Sequence, residues 1–271
     1  MAITLELLAA PRVPLEVEGV VPERLRGMSV GEIERLEVFH GNVAAPLAEF
    51  FRVSGDPGDG CITWQGDLSG VHWVGAKMAS GSIRVEGNAG RHVGSDMTGG
   101  EIVVEGNAGD WVGGEMHGGF LHVRGNAGHL VGAAYRGSRR GMTGGTILIG
   151  GSAGNEVGHT MRRGLVAVGG TVADLAGFNM WAGTLLVFGS CGIRPGAGMR
   201  RGTIGMFDES PPLLPTFRRA CRYRPLVLEL LLAQLRTRGF TLPDDASSMH
   251  LDLYHGDLLE GGRGEILVKA A

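Results

Sequence analysis

One feature limits this chain more than any other: from residue 78 to residue 206 it repeats itself every 19 residues. The stretch IRVEGNAGRHVGSDMTGGEIVVEGNAGDWVGGEMHGG, residues 83–119, gives the pattern I-x-V-x-G-N-A-G-x-x-V-G-x-x-M-x-G-G nearly twice over. Methionines fall at 78, 97, 116, 142, 161, 180 and 199, in steps of 19, 19, 26, 19, 19 and 19. The glycine opening each GNAG-like turn falls at 87, 106, 125, 151, 170 and 189, with the same steps and the same seven-residue insertion. Two columns that agree in phase make a fixed period the governing constraint.

Nineteen residues are too few for a strand, a crossover helix and two loops, because a crossover with its helix takes at least about 10 to 12 residues. They suffice for one circuit of short strands and glycine corners. Circuits stacked strand on strand predict an all-β-dominated fold, a right-handed parallel β-helix of about seven 19-residue coils, with short α/β caps at both ends. The boundaries follow: 1–60 an N-terminal cap, 61–207 the β-helix, 208–271 a cap of helix and strand. The abundant glycines, 49 in all, then serve as corners where φ is positive or a β-carbon has no room. A nucleotide loop does not fit, since GNAG matches neither GxGxxG nor GxxxxGK[ST] and no helical pattern follows it.

The period assigns faces. Ile83, Ile102, Leu121, Ile147, Val166, Leu185 and Ile204 form one inward ladder. Val85, Val104, Val123, Ile149, Val168, Val187 and Met206 form a second. Cys191 takes an alanine position shared with Ala89, Ala108, Ala127 and Ala153, so it reads as core. Asn88, Asn107 and Asn126, followed by Ser152, Thr171 and Ser190, make a polar ladder beside the corner. His72 and His129 share a column three coils apart, roughly 14 Å, too far to hold one ion. Asp and Glu look scattered over the columns, and no catalytic acid pair, metal set or nucleophile triad emerges. No catalytic residue and no resident metal, flavin or pterin is therefore expected.

In the flanks, Ser29 and Glu32 set a capping box for a helix over 29–36, and VFHGN and AEFFRV read as strands. Pro225 opens a helix that stops at Gly239, placed to cover the open end of the stack. HGDLLEGGRGEILV, 255–268, is expected to add a further coil or an edge strand. A net charge of −3 argues against a nucleic-acid partner. The longest apolar run, PLVLELLLAQL, is far short of the roughly 20 residues of a membrane span. Three cysteines without CxxC spacing, and no basic region followed by an apolar run at the N-terminus, point to the cytoplasm.

The order L-E-V-F-H-G-N, then P-L-A-E-F-F-R-V-S-G, then the phased coils resembles the C subunit of formylmethanofuran dehydrogenase over about residues 12–207. The tail YHGDLLEGGRGEILV brings it nearer the bacterial relative, the C subunit of the formyltransferase/hydrolase complex. The coils also resemble the C-terminal β-helix domain of the large glutamate synthase subunit, which leaves an amidotransferase-associated domain as the alternative. The first resemblance implies a scaffold subunit without an active site of its own. Its implied partners are amidohydrolase-like, formyltransferase-like and dehydrogenase-like subunits, with formyl transfer from tetrahydromethanopterin to a methanofuran analogue and release of formate.

The coils also gather basic side chains. The insertion AAYRGSRRG brings Arg136, Arg139 and Arg140 to one corner, and Arg162, Arg163, Arg200 and Arg201 follow the methionine column in later coils. Guanidinium forks suit carboxylates. This corner is expected to dock an acidic partner surface, or to lie near the polyglutamyl tail that the resemblance implies for the formyl carrier.

Overall fold

A computed structural model describes residues 2–246 and 248–270. The chain begins with strands β1 (Ile3–Leu7), β2 (Leu15–Glu16), β3 (Glu37–His40), β4 (Val43–Pro46), β5 (Phe51–Ser54), β6 (Cys61–Gln65) and β7 (Val71–His72). Two short helices lie among them, α1 (Pro22–Leu25) and α2 (Val30–Glu34). At the start of α2 the Glu32 carboxylate accepts from the Ser29 backbone N–H and from its hydroxyl, each at 2.7 Å, as the capping motif requires. AEFFRV is only partly extended: Leu47–Glu49 form a 3-10 turn, and the strand starts at Phe51.

The periodic region supplies β8 (Ser82–Val85), β9 (Glu101–Val104), β10 (Phe120–Val123), β11 (Thr146–Ile149), β12 (Leu165–Val168), β13 (Thr184–Val187) and β14 (Arg201–Met206). Each pairs in parallel with the next at the repeat interval, Ile83 opposite Ile102, Ile102 opposite Leu121, and so to Leu185 opposite Ile204. Parallel bridges such as Ala89–Ala108 and Val172–Cys191 stack the repeats a second time. A third seam runs beside the methionines, where Thr98 N–H donates to Met78 O at 2.9 Å and Arg200 N–H to Met180 O at 2.8 Å. Both predicted ladders and all seven methionines are at most 1% exposed and share one core. Burial pushes the Cys191 thiol up to about 12, with Asp174 adding to it.

Two demands account for the glycine columns. A β-carbon on Gly87 would sit 2.4 Å from the Gly66 carbonyl oxygen of the preceding repeat, so that column is glycine by close approach. Gly75, Gly94 and Gly113 instead have φ of 67°, 63° and 61°. Bulky residues also hold the left-handed conformation here, Trp73, His92, Trp111, Leu130, Glu156, Leu175 and Arg194 forming a column of their own. Through Leu175, each member's N–H donates to a carbonyl of the following repeat, as in Trp73 to Arg91 and His92 to Asp110, both 2.9 Å.

Beyond β14 come β15 (Arg218–Tyr223), helix α3 (Leu226–Thr237), β16 (Leu251–Gly256) and β17 (Arg263–Lys269). The tail thus holds one further parallel rung, β17 on β14 with Ile266 opposite Ile204, and then two antiparallel strands. The sheet has 13 strands in the order β15-β16-β17-β14-β13-β12-β11-β10-β9-β8-β6-β1-β5, with β4-β3-β2-β7 as a second sheet. Helix α3 does not cover the end of the stack. Leu228, Leu232 and Leu235 seat it on the outer face of the large sheet, against a second core containing Leu148, Ala167, Leu186, Phe188 and Phe207. Phe217, Leu213 and Leu214 close the end of the inner core instead. The reason lies in the outward column Arg84, Val103, His122, Leu148, Ala167, Leu186, which is mixed at first but apolar without interruption from Leu148 on and needs an apolar cover there.

Candidate functional site

The insertion between Gly132 and Met142 is a built loop. Tyr135 reaches back towards the earlier repeats: its backbone N–H donates to Glu115 Oε1 at 2.9 Å and its hydroxyl to Asp96 Oδ2 at 3.4 Å. Its ring lies against His92 at 5.6 Å and Trp73 at 6.3 Å. Ser138 N–H donates to Tyr135 O and Arg140 N–H to the Ser138 hydroxyl, which turns the loop towards the later repeats. Gly141 N–H then donates to Thr160 O. An anchored tyrosine on one side therefore presents arginine on the other.

The seven predicted arginines do not form one patch. Trp181 falls in the same column as Arg162 and Arg200, and its ring lies between them, with the guanidinium carbons 4.1 and 4.3 Å from the ring centroid. A cleft of about 460 Å³ on one side is lined by Arg139, Arg200, Thr160, Asn179, Trp181 and Glu260 among others. A second, of about 540 Å³, is lined by Arg162, Arg163, Trp181, Thr184 and Arg201 among others. Arg136 and Arg140 are exposed on the loop and line neither cleft. Among the described residues Glu260 is the carboxylate paired with this group, 2.9 Å from Arg200 Nε. Arg162 Nε is buried without a hydrogen-bond partner among them. The corner therefore keeps a large positive excess around a tryptophan, suited to carboxylates carried on a surface or chain. Trp181 and Glu260 were not singled out from the sequence. Reading the methionine-plus-one column across all repeats would have found Trp181.

A second cluster was also missed. His92 stacks on Trp73 at 3.9 Å with planes 3° apart, and on Trp111 at 5.3 Å. Burial, then the nearby His72 and Arg91, lowers its pKa to about 4, so the imidazole is neutral at pH 7. Asp96 and Glu115 share one column in adjacent repeats, so the acids are not all scattered. Burial and then the Glu115 charge raise the Asp96 pKa. Burial also raises that of Tyr135. The column holding His72 and His129 proves to be a line of acceptors. His72 Nδ1, Asp110 Oδ1, His129 Nδ1, Asn155 Oδ1 and Asp174 Oδ1 each accept the backbone N–H of the residue in the next repeat, at 2.8–3.1 Å. The predicted Asn88–Asn107–Asn126 ladder works in the same way, with Asn107 N–H donating to Asn88 Oδ1 at 2.9 Å. Among the described residues no three His, Cys, Asp or Glu side chains converge as a metal centre would need. No helix among them is long and apolar enough to cross a membrane.

No family model matches the chain. The C subunit of tungsten-containing formylmethanofuran dehydrogenase 2 from Methanothermobacter thermautotrophicus is 41% identical over 87 residues, 31% of this chain and 32% of that one. The C subunit of molybdenum-containing formylmethanofuran dehydrogenase 1 from Methanosarcina barkeri is 43% identical over 85 residues, 30% of this chain and 28% of that one. The chain thus spans about a third of the length of the curated relatives it matches. A crystal structure goes much further. A chain of the formyltransferase/hydrolase complex (FhcABCD) from Methylorubrum extorquens, solved in complex with methylofuran, superposes with a TM-score of 0.89 at 33% identity, over 99% of this chain and 100% of that one. The chain belongs to the family of formylmethanofuran dehydrogenase C subunits.

Proposed function

We propose that this chain is the non-catalytic structural subunit of a cytoplasmic formyltransferase/hydrolase complex. Its partners are amidohydrolase-like, formyltransferase-like and dehydrogenase-like chains. The assembly moves a formyl group from tetrahydromethanopterin to a methanofuran analogue and releases formate, and this chain carries no cofactor of its own. Within it, residues 61–207 wind as one right-handed parallel β-helix, closed by 1–60 and 208–271. The three parallel seams per repeat support that winding. The observation that carries the functional reading is the match over the whole chain to a subunit of such a complex. The arginine corner is the part of the scaffold that meets a partner's carboxylates.

The test is recovery of the tagged native protein with identification of the chains that come with it. Amidohydrolase-like and formyltransferase-like chains are expected, and a lone chain with formyl-transfer activity would sink the scaffold reading. Replacing Arg136, Arg139 and Arg140 with serine should leave the fold intact and make the assembly more sensitive to salt. An unchanged salt profile would return the corner to solvent.

A further inference from the structure

Strand β15 and helix α3 carry a surface that differs from the arginine corner in both chemistry and place. Helix α3 buries Leu228, Leu232 and Leu235, and an ordinary surface helix would be polar opposite them. Instead Leu226, Val227 and Leu230 are 75%, 63% and 74% exposed. An isolated apolar side chain on a surface needs no explanation, but three neighbours in the first five positions of one helix form a patch.

That patch adjoins an open sheet edge. Strand β15 ends at Tyr223, two residues before the helix, and is the terminal strand of the 13-stranded sheet, paired among the described residues with β16 alone. All six of its residues are exposed. The opposite terminal strand, β5, is built differently: it is four residues long, and it buries Phe51 and Val53. Its Arg52 is paired with Glu6 at 2.7 Å.

Charge identifies the occupant. Arg218, Arg219, Arg222 and Arg224 lie along and just after β15. Asp252 is shared by Arg219 at 2.7 Å and Arg222 at 2.8 Å, and Glu229 takes Arg224 at 2.7 Å. Among the described residues Arg219 and Arg222 share one carboxylate and Arg224 takes another, so the strip displays a run of guanidinium groups. Arginines on an edge strand do guard against indiscriminate pairing, yet that role does not account for leucines exposed beside them.

We propose that β15 and the outer face of α3 form a docking surface for an extended acidic segment of a partner subunit. The segment adds to β15 as a further strand, places carboxylates against the four arginines and lays apolar side chains on Leu226, Val227 and Leu230. This rests on the reading of the chain as one subunit of a heteromeric complex.

The experiment compares wild-type protein with a Leu226→Ser, Val227→Ser, Leu230→Ser triple variant, each tagged and recovered from cells that make the whole complex. Since all three side chains face solvent, the variant purified alone should melt within a few degrees of wild type. Recovery of partner chains should fall at least tenfold. Amide exchange of the wild-type complex should show residues 218–223 slowed at least tenfold against the free subunit, a measurement that stands even where the variant fails to fold. Equal recovery by both proteins, with no slowing at 218–223, overturns this proposal and leaves the scaffold reading standing. No partners with wild type either would overturn both. A homodimer of the free chain that the triple substitution dissolves, with partner recovery unchanged, would assign the surface to a second copy and also overturn the proposal.

Discussion

Replacing Leu186 with alanine tests where α3 sits. Leu186 points outward from the repeat stack, yet it is fully buried because the helix lies over it. Truncating a buried leucine removes its transfer free energy and leaves a cavity, a loss of about 2.7–5 kcal/mol in well-packed sites. A helix resting on a sheet can settle by part of the gap, so the expected loss is about 3 kcal/mol, towards the lower end of that range. With a urea dependence of roughly 3 kcal/mol per molar, the midpoint should fall by about 1 M. Val103, in the same outward column two sheet strands beyond β11, is not covered by the helix, and Val103→Ala should change stability by no more than about 0.5 kcal/mol. Urea titration by circular dichroism gives the two midpoints. Amide exchange should also show the α3 residues losing protection in Leu186→Ala before the inner strands do. Equal midpoint shifts for the two variants, or unchanged exchange in α3, would refute the seating of the helix on this column.

Val112, fully buried in the inner core, should not accept a charge: Val112→Asp is expected to cost several kcal/mol or abolish soluble expression, and normal yield and melting would exchange the inner and outer faces. His92 has a pKa of about 4 in the folded chain and an ordinary histidine value of 6.5 when unfolded, so its share of stability is intact above about 6.5 and drains away as the pH falls towards 4. An NMR titration of its ring should give a midpoint near 4, and one near 6.5 would place the ring in water. For Asp96 the sign is opposite, because a raised carboxylate pKa means that stability falls as the pH climbs above the ordinary carboxylate value and the loss is complete above the raised one. Asp96→Asn, which keeps an acceptor for the Tyr135 hydroxyl, should therefore raise the melting temperature at pH 7, with the gain vanishing in acid; a loss at pH 7 would contradict the burial cause.

Periodicity made the interior legible. Residues such as Ile102, Val104 and Met97 recur at one interval, and apolar side chains repeated in phase leave little choice of face. The helix ends were legible too, since Pro225 and Gly239 act through local backbone preferences. What escaped was non-local or chemically mixed. The acceptor column uses His72, Asp110, His129, Asn155 and Asp174 for one task, so it repeats in function while varying in residue type. Tyr135 finds Asp96 across 39 residues, a pairing set by the loop's fold and not by any spacing. The path of α3 over the sheet was written in the outward column, where Arg84 and His122 give way to Leu148 and Leu186. That signal lies in a trend along the column, which a search for fixed repeats passes over.

Parallel pairing in register, one strand per repeat, turns the stack into a ruler. Each repeat adds one graduation of about 4.8 Å, so Arg163 and Arg201, two graduations apart in one column, stand roughly 10 Å from each other. Gain or loss of a whole repeat would move the arginine corner relative to the N-terminal strands by one graduation and leave the wall of the stack unbroken. An insertion at a corner, such as the one that carries Tyr135 and Arg139, changes what is displayed without changing the scale. Chains built on this repeat can therefore differ in the distance between two surface features only in steps, so the number of repeats is a length written into the wall.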